Sequence, residues 1–312
     1  MKKEKVLQKL YGPVFTIYTP FVKDKSCINF HELEKYINFL FNKGVSIFYV
    51  MPYNSRYSQL RESEIFELNN FCIETVKNLS PENLIIVSDS IHGPTSLSID
   101  YALEAKKTGA DIFASIVREK YFDDKQILMH YENLSRAVSI PLLVHEMPFL
   151  SGYTAQNILW PLTLLKGLKE IDNIIAIKED AKDEVYAQEI IKIFEPDIRV
   201  IFAGRKKYFY ALKESGLKSY LNGISMVNPK LAFKFWDLYE KGEDDAILEF
   251  LSKYDDPFWD GPVKKYGWHR VNKASLEIIG LMSRIERSPL QELNKDELKE
   301  IKPLILKIAN YL

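Results

Sequence analysis

The chain carries little that would staple, anchor or polarise it. Cys27 and Cys72 are its only cysteines. Two thiols so placed make no disulfide framework and no zinc spacing, which suits a reducing cytoplasm. No apolar run reaches the roughly eighteen residues a membrane span needs, so no membrane partner is expected. The basic start, Met1-Lys2-Lys3-Glu4-Lys5, leads into no apolar signal core. With 42 basic and 43 acidic side chains there is no electrostatic case for nucleic acid, and no charge block forms a binding tail. No G-x-G-x-x-G loop follows any apolar run, so a dinucleotide site has no support. His31, His92 and His130 form no metal spacing with a carboxylate. Neither metal nor cofactor is expected. Repeats, low-complexity tracts and linkers are also missing.

What is present is apolar mass and alternation. The chain is 46% apolar, enough for a large core. Its length would allow two domains, yet a closed α/β barrel uses about 250 residues as one. Buried strands are expected at 14–18, 46–51, 84–88, 111–117, 141–147, in a run entering Lys178, at 199–203 and at 219–224. Helices are expected between them at 31–42 with Asn29 as cap, 62–78, 95–108 closed by Gly109, 124–138, 154–171, 183–194 and 206–215, and after the last strand at 230–241. Parallel strands joined this closely need right-handed helical crossovers. Strict alternation allows an open doubly wound sheet or a closed barrel, and eight units favour the barrel. The expected fold is therefore an α/β (β/α)8 TIM barrel over residues 1–241. Residues 242–312 form a C-terminal helical extension of three or so helices. Trp259, Trp268 and 276–281 give it apolar faces to pack on the barrel or to build a subunit contact.

Chemistry in such a barrel gathers at the C-terminal ends of the strands. That rule selects Thr19, Tyr53, Asn54, Ser55, Arg56, Asp89, His92, Arg118, Tyr121, His145, Glu146, Lys178, Gly204, Arg205, Lys206, Lys207, Asn222 and Ser225. Lys178 stands out. The run Asn173-Ile174-Ile175-Ala176-Ile177 ends abruptly in this lysine, and Glu179-Asp180 follow. A lysine in dry surroundings loses part of its preference for charge, and the neutral amine can attack a carbonyl to form a Schiff base. Alternatively, it caps the strand and snorkels to water. His145 on the neighbouring strand would move protons for an imine.

These residues carry a family resemblance. Thr19-Pro20-Phe21 resembles an opening T-P-F, and Gly44-Val45 precedes the second strand. Ala176-Ile177-Lys178-Glu179 resembles G-I-K-E. Gly216, Gly223-Ile224-Ser225 and Asn228-Pro229 match a G-x-x-G-x-I-S-x-x-x-N-x-x-P stretch, and Lys273, Leu276 and Arg287-Ser288-Pro289-Leu290 match K-x-x-L and R-x-P-L. Together, from Gly12 to Pro289, they resemble the dihydrodipicolinate synthase and N-acetylneuraminate lyase family of class I, pyruvate-dependent aldolases. The resemblance implies a Schiff base at Lys178, no cofactor, a keto acid or sugar acid as small-molecule partner, and a homotetramer or homodimer.

The chain also departs from that pattern. The family's G-T-T-G-E loop, whose threonines hold the carboxylate and relay protons, is Pro52-Tyr53-Asn54-Ser55-Arg56. Its Y-N-x-P, with a relay tyrosine, is His145-Glu146-Met147-Pro148, followed by Phe149-Leu150-Ser151-Gly152, nearer the sialic-acid lyase's A-L-S-G. That branch's acidic pair on strand seven is Lys206-Lys207. A rebuilt site would use His145 and Tyr53 for protons. Arg56, Arg118 or Lys206 would hold a carboxylate, suiting a substrate with a second acidic group. Asn54, Ser55, Gly204 and Ser225 complete the expected binding set. His269, Trp268, Asp255 and Asp256 are expected to serve packing and caps. Three readings follow: a lyase or aldolase, a dehydratase of a keto-deoxy sugar acid using the same imine, and a non-catalytic binding or scaffold descendant.

Overall fold

The computed structural model describes residues 3–91, 93–117, 122–146, 159–181 and 183–311. Eight parallel strands close on themselves in chain order, each hydrogen-bonded to the next and the last to the first. They are β1 (Gly12–Thr16), β2 (Ile47–Tyr49), β3 (Leu84–Ser88), β4 (Ile112–Ser115), β5 (Leu142–His145), β6 (Ile174–Glu179), β7 (Arg199–Phe202) and β8 (Ser219–Leu221). A seven-residue helix, α1 (Lys3–Lys9), precedes them. The crossovers are α2 (Phe30–Asn42), α3 (Glu62–Leu79), α4 (Thr95–Thr108), α5 (Asp124–Ala137), α6 (Leu162–Lys169), α7 (Glu184–Phe194) and α8 (Lys206–Ala211), and α9 (Lys230–Lys241) follows the last strand. The (β/α)8 expectation is met.

Local chemistry sets the helix ends. The Asn29 side chain accepts from Glu32 N at the start of α2, and Asp123 with Gln126 forms a reciprocal capping box at α5. At the end of α4, Gly109 turns left-handed with φ of 108°, which a side chain would resist. Two expectations shift. The 206–215 helix is α8 followed by a 3-10 turn, Lys213–Ser215. Of the 154–171 helix, α6 is seen from Leu162; residues 147–158 lie outside the described range.

The core has two layers. Inside the ring, alternate strand residues such as Val14, Ile47, Tyr49, Ile86, Ala114, Leu143 and Ile201 pack together. The unforeseen α1 helix joins this layer through buried Val6, and Leu10 just beyond it does the same. The other strand residues, including Phe15, Phe48, Val87, Val144 and Val200, face the helices. Period-two alternation divides each strand between these layers.

Beyond α9 the chain runs through Asp244–Phe250, two π-helical stretches at Leu251–Asp255 and Trp259–Val263, and helices Trp268–Ile278 and Lys295–Ala309. This part packs on the barrel through long-range ties. Lys273 Nζ donates to Thr19 O at 2.7 Å, and Arg287 pairs with Glu64 at 2.7 Å.

Candidate active site

One irregularity in β6 decides where Lys178 points. Leu142 of β5 pairs with Ile174, but Leu143 pairs with Ala176, so β6 holds one extra residue. Ile174 faces the helices, while Ile175 and Ala176 both face the barrel interior. This bulge re-phases the strand. Without it Ala176 and Lys178 would face the helices; with it Ile177 takes that side and Lys178 enters the ring.

Lys178 is 2% exposed and lines a cleft at the C-terminal mouth of the barrel. Its Nζ lies 3.0 Å from Asp180 Oδ2, and Asp180 lines the same cleft. His145 is paired in register with Lys178 across β5 and β6 and is fully buried. Its Nδ1 is 2.9 Å from the Tyr49 hydroxyl on the inner face of β2. Burial pushes the Tyr49 phenol well above its ordinary value, so it keeps its proton and can donate it to the imidazole.

The β2 loop and the extension form the remaining walls. Tyr53 and Asn54 line the cleft, with Met51 below and Gly204, Asn222 and Gly223 opposite. Asn54 is braced on both sides: its amide donates to Thr16 Oγ1 at 2.7 Å, and its carbonyl oxygen accepts from Trp268 Nε1 at 3.2 Å. Asn222 Oδ1 accepts from Thr16 N at 3.1 Å, tying β8 to β1. Trp259 and Trp268 stack with ring centroids 4.7 Å apart and planes 9° from parallel, and both face the cleft. Trp268 was expected only to pack. The π-helical turn beginning at Trp259 delivers the second indole, a use of π-turns common at functional sites.

Several expected binding residues are placed elsewhere. Lys206 is also 2% exposed, but its Nζ sits 3.4 Å from the fully buried Asp255 carboxylate and 3.3 Å from Asn222 O. Burial holds the Lys206 ammonium below its ordinary value and the Asp255 carboxyl above its own, so at each partner desolvation outweighs the pairing. Arg205 grips Asp256 and Asp260 at 2.5 and 2.6 Å. These cations fasten the extension to the barrel with Asp255 and Asp256 as counter-ions, and Asp255 Oδ2 also accepts from Lys206 N at the start of α8, at 3.3 Å. Arg56 has left-handed backbone, φ 55°, and lies 5.3 Å from the Tyr53 ring in a neighbouring cavity bounded by Tyr53 and Trp268. Ser55 donates to Ile17 O at 2.7 Å, and its own carbonyl accepts from Thr19 at 2.6 Å, so both hydroxyls brace the β2 loop. Ser225 is fully buried in the turn after β8 and does not line the cleft. His92, Arg118, Tyr121 and 147–152 lie outside the described residues.

Glu146 and Glu179 take the outward phase, opposite to His145 and Lys178. Glu146 Oε1 accepts from Tyr186 at 2.6 Å, and Glu179 Oε1 accepts from Ala181 N at 2.5 Å. Burial raises Glu146 to about 7. Burial and then the Glu146 charge raise Glu179 to about 8. Asp89 is a further structural acid. It accepts from Ser98, Ser115 and Ile116 N, and burial lifts it to about 7. Among the described residues no group of three His, Cys, Asp or Glu could hold a metal ion, and no helix is long and apolar enough to cross a membrane.

The fold and the cleft define a (β/α)8 barrel with a buried lysine at its C-terminal mouth, and comparison with known proteins gives the family. The dihydrodipicolinate synthetase family model matches residues 9–308. The chain is 25% identical over 310 residues to a 4-hydroxy-tetrahydrodipicolinate synthase from Archaeoglobus fulgidus, covering 94% of this chain and 96% of that one. In fold it is similar to dihydrodipicolinate synthase from Oceanobacillus iheyensis, with TM-score 0.82, 16% identity and 98% and 99% of the two chains covered. It is also similar to N-acetylneuraminate lyase from Mycoplasma synoviae, with TM-score 0.81, 20% identity and 97% and 99% covered. The chain belongs to the dihydrodipicolinate synthetase family, a family of aldolase-type lyases.

Proposed function

We propose that the protein is an imine-forming lyase that acts on a pyruvate-type 2-keto acid through Lys178. The observation that carries this reading is the Lys178 amine, dry, turned into the barrel by the β6 bulge and open to the cleft. The amine attacks the keto carbon. The protonated imine then withdraws electrons from the adjacent carbon, whose bond to the rest of the substrate breaks or forms. His145, held by Tyr49 on the next strand but two, moves protons in place of the family's tyrosine. Tyr53 and Asn54 stand where the family's threonines hold the carboxylate.

The far wall favours a particular second substrate. It is the stacked Trp259–Trp268 pair, with Tyr53 beside it. Among the described cleft residues Lys178 is the one cation; Lys206 and Arg205 are paired with the extension, Arg56 is placed beyond Tyr53, and Arg118 lies outside the described residues. An uncharged acceptor aldehyde with a flat or apolar face fits such a wall better than one carrying a second acid. Incubation with pyruvate and borohydride, followed by intact-mass measurement, tests the chemistry. A stable adduct that disappears in Lys178→Met supports the reading, and an unmodified wild-type chain refutes it. A panel of aromatic, aliphatic and phosphorylated aldehydes and sugar acids then tests the acceptor.

A further inference from the structure

We infer that Asp180 is the proton acceptor and donor of imine formation. This rests on the reading of Lys178 just given. Lys178 and Asp180 are two residues apart at the end of β6, so period-two alternation sends both to the same side while Glu179 turns outward. The Asp180 carboxylate lies 3.0 Å from Nζ, within reach for direct proton transfer, and both line the cleft. The Lys178 side chain is 2% exposed and that of Asp180 14%, so bulk water has poor access to the amine. Among the described cleft residues Asp180 is the one carboxylate.

The proton count gives it a task. An ammonium and a ketone must become a protonated imine and water. Three protons on nitrogen end as one on nitrogen and two on the departing water. Asp180 takes one proton from Nζ, freeing the lone pair that forms the bond to the keto carbon. The carbonyl π pair moves to oxygen, which collects a second proton from the new secondary ammonium. The nitrogen lone pair then expels that hydroxyl as the Asp180 carboxylic acid returns its proton, and water leaves. Net charge is unchanged, and the regenerated carboxylate faces the cationic imine as its counter-ion. His145 remains available for the carbon-centred proton transfers that follow.

The test is the rate of borohydride-trapped pyruvate adduct on Lys178 from about pH 6 to 9. Asp180→Asn should slow trapping about 10²–10³-fold near neutrality, within the range of a lost general acid–base. The deficit should shrink as pH rises and hydroxide removes the proton instead. Asp180→Ala should be partly rescued by added formate, and Asp180→Glu should keep the wild-type pH profile at a reduced rate. An Asn variant that traps at the wild-type rate overturns the assignment. So does one that is slower at every pH by the same factor and is not rescued by formate in the Ala chain, the mark of a structural role. If the Asn chain does not fold, a lost profile in Asp180→Glu overturns it. A wild-type chain that forms no adduct removes the functional reading itself, whereas a wild-type adduct matched by the Asn variant removes only this inference.

Discussion

Lys178 and Lys206 invite comparison, because each is a buried lysine beside an aspartate at the C-terminal side of the barrel, one on β6 and the other at the start of α8. Each is 2% exposed, with Nζ 3.0 Å from Asp180 in one case and 3.4 Å from Asp255 in the other. The partners differ. Asp180 shares an open cleft with its lysine, while Asp255 belongs to the extension and is itself sealed. Burial and a carboxylate therefore do not make a reactive amine. Of the two, Lys178 alone lines a substrate-sized cleft, and on the function proposed above that reach is what makes its amine reactive.

The largest expected effect that would sharpen this contrast is on trapping. Lys178→Met should abolish the borohydride adduct, and folded Lys206→Met should form it to the wild-type extent, both read by mass. Next comes stability. Lys206→Ala strands the sealed Asp255 charge and should cost about 3–5 kcal/mol in urea unfolding, most of it recovered when Asp255→Leu is added to Lys206→Met. Lys178→Met, beside the partly exposed Asp180, should cost clearly less. A smaller effect concerns the acids behind the site. Glu146 and Glu179 have folded values raised to about 7 and 8, so the folded chain holds more protons than the unfolded one above the ordinary carboxyl range. Their stabilisation is full at low pH and lost as pH rises through those values. Asp89 adds to the decline. His130 and His269, lowered to about 4 by burial, act oppositely, but only below their ordinary value of 6.5. Stability should thus decline as pH rises from the ordinary carboxyl range, most steeply just above pH 6.5 where the histidines no longer oppose it, and level off above about pH 8; Glu146→Gln should flatten the fall and raise Tm at the upper end by roughly 3–6 °C, by calorimetry. The smallest effect is Arg56→Ala. With Arg56 beyond Tyr53, the KM for the keto acid should change less than about threefold; a tenfold rise, about 1.4 kcal/mol, would return Arg56 to the binding set.

How much of this was legible follows from the range of the interactions. Helix ends were readable because caps are local: Asn29 and Gly109 mark their turns within a few residues. Strand ends moved by up to three residues, because strands buried on both faces carry no polar punctuation. That uniform burial also hid the direction of Lys178, since the bulge at Ile175 changes the phase without changing the apolar character of the run. Asp180 was within reach of counting by twos from Lys178. The destinations of Arg205 and Lys206 were not, because Asp255, Asp256 and Asp260 lie some fifty residues further along the chain. Trp259 enters the cleft from a π-turn, which leaves no apolar period to read.

The most direct measurement is a peptide map of the wild-type chain after treatment with pyruvate and borohydride, comparing the buried lysines 178, 206 and 273 in one experiment. The account predicts the reduced adduct on the peptide carrying Lys178 and unmodified side chains at the other two. An adduct on Lys206, or one spread over surface lysines with Lys178 untouched, would contradict it.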